Sequence, residues 1–154
     1  MLKNLMKLRM SDSPYLIEGG FYADQRGRLD FVNDFDLELI RRFYFITNAE
    51  VNKFRGWQGH KIEKRWFFCV KGSFRVELIK MDNWENPSDD LKIETFHLID
   101  NEPKVLHVPS GYLNGFIALE EDSKMMIMSD YQLGVLDGDE FRFENNKWRE
   151  KKLK

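Results

Sequence analysis

Cysteine is almost absent from this chain. Cys69 stands alone, and a single thiol excludes an internal disulfide framework. This fits a reducing compartment, so a cytoplasmic location is expected. Charge of one sign is missing too. There are 24 basic and 26 acidic residues, a net charge of -2, which gives no global attraction to DNA, RNA or anionic membranes. Any anion site has to be local. Long apolar runs are lacking, and none approaches the length needed to span a bilayer. The N-terminal MLKNLMKLRM interleaves Lys and Arg with Leu and Met, so no secretory signal is expected. There is no repeat, low-complexity tract or linker composition. These absences point to a single domain over 1–154 with a core at about 14–143. The charged stretch 145–154 reads as a frayed tail or short helix.

What the chain does have is apolar and aromatic mass. Hydrophobic residues make up 42% and aromatics 14%, too much for a disordered chain. Turn signals recur at short intervals: Gly19-Gly20, Arg26-Gly27, Asn33-Asp34, Lys71-Gly72-Ser73, Pro87-Ser88, Pro103 and Pro109-Ser110-Gly111. Between them lie runs rich in β-branched and aromatic residues, at 29–32, 40–47, 65–70, 74–81, 92–98, 105–108, 116–119 and 125–129. Many short strands and almost no long helical period predict an all-β sandwich or barrel. Alternate strand residues share a face. Gln58 and His60 therefore point together, as do Arg65, Phe67 and Cys69, and Tyr112, Asn114 and Phe116. The faces of residues 58, 60 and 114 are expected to look into one interior.

Two segments are laid out like the paired motifs of metal-binding cupins: Gln58-x-His60, and Pro109-x-Gly111-x-x-Asn114. Gln58 and Asn114 stand where histidines would be, and Glu63 is out of the usual spacing. One imidazole with two amides is a poor donor set for zinc or iron, so no metal or other cofactor is expected. His97 and His107 read as hydrogen-bonded sheet residues. Acid–base chemistry is the stronger candidate. His60 titrates near neutrality and can take and return a proton, with Tyr44 as its acid partner. Arg41, Arg42, Arg55, Lys61 and Arg65 are near it in sequence. Such cations hold a diphosphate or stabilise an enolate oxygen. Arg26 is either an anion ligand or a turn arginine. Trp57, Trp66, Phe67 and Phe68 suit either base stacking or core packing.

Taken in order, the motifs resemble the dTDP-sugar 3,4-ketoisomerases, which belong to the WxcM-like cupins. They are Asp24-x-Arg26-Gly27-x-Leu29, Arg42-x-Tyr44, Arg55-Gly56-Trp57-Gln58-Gly59-His60-Lys61, Gly72-Ser73-Phe74, Val108-Pro109-Ser110-Gly111 and Ser129-Asp130-Tyr131. The dTDP-4-dehydrorhamnose 3,5-epimerases resemble the chain more distantly. The likeness runs from about Glu18 to Phe143 and implies a cupin double-stranded β-helix, or jelly roll. It also implies a homodimer and metal-independent proton transfer on a dTDP-4-keto-6-deoxyhexose. His60 and Lys61 match the last two positions of the family's Arg-Gly-x-His-x-His-Lys block. Gln58 departs, standing where the first histidine would be. The epimerases' catalytic tyrosine falls near Met126 or Ile127. Arg65 falls where they keep a lysine, and Arg26 and Arg55 match nucleotide or phosphate contacts. His60 and Tyr44 are the expected catalytic residues. Arg26, Arg55, Gln58, Lys61, Arg65 and Asn114 are the expected substrate-binding residues. With one histidine missing, three readings stand: a one-histidine isomerase or epimerase, a relative with different chemistry, and a non-catalytic sugar-nucleotide binder.

Overall fold

The computed structural model describes residues 12–149. The N-terminal MLKNLMKLRM and the last five residues of the charged tail lie outside the described residues. Twelve strands follow one another: β1 (Tyr15–Glu18), β2 (Gly20–Asp24), β3 (Gly27–Phe31), β4 (Arg42–Thr47), β5 (Phe54–His60), β6 (Arg65–Lys71), β7 (Ser73–Lys80), β8 (Glu94–Ile99), β9 (Lys104–Val108), β10 (Tyr112–Ala118), β11 (Lys124–Ser129) and β12 (Phe141–Arg142). A single 3-10 turn at Leu37–Leu39 is the one helical element among the described residues. The first sheet runs β1-β9-β6-β11-β4, the second β12-β5-β10-β7-β8, and β2–β3 forms a separate hairpin. All pairings are antiparallel. This is the all-β jelly roll expected from the sequence. β1, β2 and β12 were not among the expected strands. They are short, and Gly20, read as part of a turn, opens β2 instead.

The period-2 pattern divides each strand between two environments. Phe67, Cys69, Phe74, Val76, Leu78, Leu98, Leu106, Phe116, Met125 and Ile127 meet between the sheets. Burying each of the larger side chains stabilises the fold by about 1.5–3 kcal/mol. Trp66, Val105 and Met128 lie on the outer face of the first sheet, under Phe35 and Ile40. Trp57, Ile79, Leu113 and Ile117 lie on the outer face of the second, under Phe143 and Trp148. Trp57 and Trp66 are thus outer-face core residues, and of the four expected stacking aromatics Phe67 lines the cavity between the sheets.

The start of the charged tail is neither frayed nor helical. Residues 145–149 form a turn that clasps the second sheet. Trp57 Nε1 donates to the Lys147 carbonyl at 2.9 Å, and Trp148 Nε1 to the Ser88 carbonyl at 2.7 Å. Arg149 Nε donates to buried Glu77 at 2.8 Å, and its guanidinium lies 4.0 Å from the Phe54 ring centroid. Among the described tail residues, Arg149 thus pairs with buried Glu77, and Lys147 lies 3.7 Å from exposed Asp89.

β5 carries a bulge. Its register against β10 shifts between Asn114 and Phe116, so Gly115 faces an extra residue. A Cβ on Gly115 would lie 2.1 Å from the Phe54 ring, and one on Gly56 would lie 2.7 Å from the Gly115 backbone. Only two glycines allow this approach. The extra residue changes the parity of the strand. Phe54 and Trp57 both face outward, which returns Gln58 and His60 to the interior. Gly115→Ala is expected to destabilise the protein by about 1–3 kcal/mol through overpacking. A lowered denaturation midpoint checks this.

His107 sits on β9, its ring 4.9 Å from those of Tyr15 and Trp66, 3% exposed and with no partner at Nδ1. Burial, with Lys64's charge adding to it, pushes its pKa down from 6.5 to about 4. The neutral ring is the folded form. Its contribution is complete above the unfolded value of 6.5 and is lost as pH falls toward about 4, where the folded ring charges. Chemical denaturation should show stability falling by up to about 3 kcal/mol over that window. His107→Phe should flatten the dependence.

Candidate functional site

The inner faces of both sheets converge on a cavity of about 330 Å³, within the range of small-molecule sites. β4 contributes Tyr44 and Ile46, because Phe43 and Phe45 take the outward positions of the same strand. β6 supplies Arg65 and Phe67, and β11 supplies Ile127. From the second sheet come Arg55 and Gln58 of β5 and Asn114 and Phe116 of β10. Asn114 pairs directly with Gln58 and both line this cavity, whereas His60, paired with Tyr112, does not. The 48–53 loop adds Asn48 and Lys53, and the C-terminal segment adds Arg142 and Asn145. The floor is apolar and the rim is cationic and amide-bearing. Both amide atoms of Asn48 are buried without a partner in the protein. An orphaned buried amide costs free energy that a polar ligand in the cavity would recover.

Arg65 is the wall between this cavity and a smaller one of about 100 Å³. The smaller cavity is bordered by His60, Glu63, Arg42 and Asp139 and covered by the 131–136 segment. Arg65 Nη1 donates to the Tyr44 hydroxyl, and Nη2 donates to Glu63 Oε2 at 2.8 Å. A guanidinium only donates, so Tyr44 accepts here and keeps its own proton for another group. Glu63 also accepts from the Ser129 hydroxyl at Oε1 and lies 3.2 Å from His60 Nδ1. Burial opposes the Glu63 charge, but Ser129 and Arg65 outweigh it and hold its pKa below the ordinary value.

His60 is 6% exposed. Its Nδ1 is 2.8 Å from the Asp139 carbonyl, which can only accept. Nδ1 therefore carries the proton in the neutral ring, and Nε2 is left as a free, buried acceptor. Burial lowers its pKa, Arg65 lowers it further, and Glu63 and Asp139 act against them. The ring is thereby kept in the state a base needs. The turn that carries Glu63 is clamped by the Asp139 carboxylate. It accepts from the backbone N–H of Lys61 at 2.9 Å, Ile62 at 3.0 Å and Glu63 at 2.9 Å.

His60, Glu63 and Asp139 bring possible metal-donor atoms within 4.8 Å of one another. The donor set does not suit a cation. Both Glu63 oxygens and the Asp139 carboxylate are already committed to donors, and Arg65 places a positive charge at the same spot. Of the residues singled out in the sequence, Tyr44, Arg55, Gln58, Arg65 and Asn114 meet in the main cavity. His60 borders the smaller one. Lys61 borders neither, its ammonium lying 5.0 Å from the Phe141 ring centroid. Arg26 is at the tip of the β2–β3 hairpin, 83% exposed and paired with Asp24 at 2.6 Å. Asn48, Glu63, Ser129 and Asp139 were not among the expected site residues. Glu63-x-Arg65, an acid two positions before the first residue of β6, was a readable signal for one of them. Nothing local in the sequence links Asp139 to His60.

A model of the WxcM-like, C-terminal family (FdtA) matches residues 14–146. No curated protein sequence matches the chain. Among solved structures, it is similar to a variant of the 3,4-ketoisomerase QdtA from Thermoanaerobacterium thermosaccharolyticum in complex with TDP-4-keto-6-deoxyglucose. The two share 22% identity over 87% of this chain and 90% of that one, with a TM-score of 0.64. A 3,4-ketoisomerase from Helicobacter canadensis shares 16% identity over 89% and 96% of the chains, with a TM-score of 0.65. The rmlC epimerase of Mycobacterium tuberculosis shares 16% identity over 87% and 70%, with a TM-score of 0.68. The fold is thus the cupin jelly roll, and with the family model spanning most of its length, the chain belongs to the WxcM-like, C-terminal family.

Proposed function

We propose that this protein is a sugar-nucleotide isomerase of the 3,4-ketoisomerase type, acting on a dTDP-4-keto-6-deoxyhexose by metal-independent proton transfer. One observation carries the reading. Tyr44 presents an undonated phenolic proton beside the Arg65 cation inside a ligand-sized polar cavity. In the proposed reaction the C4 ketone acidifies the hydrogen at C3. A base removes that proton and leaves an enediolate. The O3 proton passes to O4 and a proton returns to C4, which moves the ketone to C3. Arg65 stabilises the developing oxyanion, and Tyr44 donates the returning proton. His60 serves as base or proton reservoir, with Nε2 as its acceptor. Gln58 and Asn114 hydrogen-bond the sugar, while Arg55 at the cavity wall serves the nucleotide and its phosphates. The TDP-sugar in the QdtA structure supports this ligand class.

A second reading has its own support. Gln58 cannot exchange protons at neutral pH, and Arg65 stands between His60 and the main cavity. Both favour a non-catalytic sugar-nucleotide-binding cupin. NMR of dTDP-4-keto-6-deoxyglucose in D₂O separates the two. An isomerase incorporates deuterium at ring carbon, and Tyr44→Phe and His60→Asn each slow this by about 10²–10⁴-fold. Tight dTDP binding without exchange, across several 4-keto sugars, establishes the binder instead.

We also propose a homodimer. Phe43 and Phe45 on β4, with Phe21, Tyr22 and Leu29 on the β2–β3 hairpin, are half or more exposed. A second copy would remove such apolar surface from water. Sedimentation velocity should give a dimer that Phe43→Glu/Phe45→Glu converts to a monomer. A wild-type monomer at micromolar concentration rejects it.

A further inference from the structure

The Glu63 carboxylate touches both Arg65, which borders the main cavity, and His60, which borders the smaller one. Its Oε2 holds Arg65 at 2.8 Å, and the same oxygen lies 3.2 Å from His60 Nδ1. Ser129, fully buried, donates to the other oxygen, so the carboxylate cannot rotate away without losing that bond. The turn beneath it is tied from three sides. Asp139 takes the Glu63 N–H, Asp130 takes the Lys64 N–H at 2.8 Å, and Ser110 Oγ donates to the Ile62 carbonyl at 2.6 Å. The side chain is 11% exposed. A carboxylate this confined, and this thoroughly supplied with donors, is a fixed charge.

We infer that Glu63 is a positioning residue that couples the two cavities, holding the Arg65 fork against Tyr44 on one side and setting the charge beside His60 on the other. Arg65 has two arms in use and a third nitrogen, Nε, buried without a partner. Remove the Glu63 charge, and the guanidinium has no anion to face among the residues of the main cavity wall nearest it. It then loses the geometry that makes Tyr44 an acceptor of its Nη1 and a donor toward the cavity. His60 responds in the opposite sense. The groups facing its ring are Glu63 and Arg65 from the β5–β6 side, Asp139 and Glu140 from the C-terminal segment, Arg42 from β4 and Tyr112 across the strand pair. Of these, Glu63 and Arg65 form one ion pair. Whatever disturbs one end of that pair changes the field at His60. Occupation of the main cavity by an anionic oxygen, which competes for Arg65, is therefore reported to the imidazole without contact between them.

Two variants with opposite predicted signs test this, read by imidazole NMR titration of His60. Glu63→Gln keeps the shape and deletes the negative charge. The His60 midpoint should move down. Arg65→Met deletes the positive charge, and the midpoint should move up. A purely structural role for the turn would not produce opposite shifts. An unchanged His60 midpoint in Glu63→Gln overturns the inference. If that variant does not fold, a midpoint that fails to rise in Arg65→Met does the same.

The catalytic consequence rests on the proton-transfer reading proposed above. If that reading holds, Glu63→Gln lowers the deuterium-exchange rate about 10- to 100-fold through misplacement of Arg65 and Tyr44. Glu63→Asp recovers part of it. Wild-type exchange with no loss in a folded Glu63→Gln variant overturns the positioning role. The absence of exchange in wild type, with the two titrations shifted as expected, rejects the reaction and supports the coupling.

Discussion

The close approach of Gly56 to Gly115 is the constraint on which the interior of this jelly roll depends. Strict alternation from Phe54 would send Gln58 and His60 to the same outer face as the Phe54 ring. The extra residue at the bulge reverses the parity, so Trp57 joins Phe54 on the outside and the two polar residues turn inward. The bulge is possible only because neither glycine has a Cβ to collide with the Phe54 ring or the facing backbone. The outer face must then bury a tryptophan. It does so under Phe143 and Trp148, with the Trp57 indole N–H satisfied by the Lys147 carbonyl. The C-terminal segment that supplies this cover also carries Arg142 and Asn145 to the cavity rim. One backbone irregularity thus links the cover on the outside to the chemistry on the inside.

Inside, the buried Arg65 and Glu63 charges face one another, while Arg65 Nε is left without a partner. Arg65 and Glu63 neutralise one another, and Ser129 completes the carboxylate. An unpaired charge here would cost several kcal/mol, which is why the pair persists at such low exposure. The arrangement leaves two groups with spare capacity: the Tyr44 proton and His60 Nε2. These are a donor in the main cavity and an acceptor in the smaller one, separated by a guanidinium. The orphaned Asn48 amide adds a place for a ligand's polar edge. The same arrangement places a cation on the border of two cavities, where it can serve an oxyanion without a metal.

Much of the fold was legible in the chain. The strands at 65–71, 73–80, 104–108 and 124–129 are rich in β-branched and aromatic or other large apolar residues, and Gly72, Pro103 and Pro109 bound the first three on at least one side. Their turns follow from local residue chemistry. β1 and β12 were not legible, because four or two residues carry too little periodicity to identify a strand. Their pairing is secured by partners about ninety and eighty positions away, His107 for Tyr15 and Gly59 for Phe141. The tail was misread for a related reason. Its charges suggest solvent, whereas its Trp148 and Arg149 find an apolar face and a buried Glu77 that are distant in sequence.

By itself the sequence determined the all-β class, the shared interior face of Gln58 and Asn114, and the family. It also brought Tyr44, Arg55 and Arg65 forward as site residues. All of these depend on residue type and short-range spacing. Only the tertiary structure decided that His60 sits behind Arg65, that Glu63 joins them, and that Asp139 fixes the imidazole tautomer. It also placed Lys61 and Arg26 outside the cavity of this chain. The physical reason is distance. Hydrogen bonds and ion pairs act over about 3 Å, while His60 and Asp139, which meet here, are separated by 79 positions along the chain. Their meeting is a property of strand order and bulge geometry, and no local pattern encodes it.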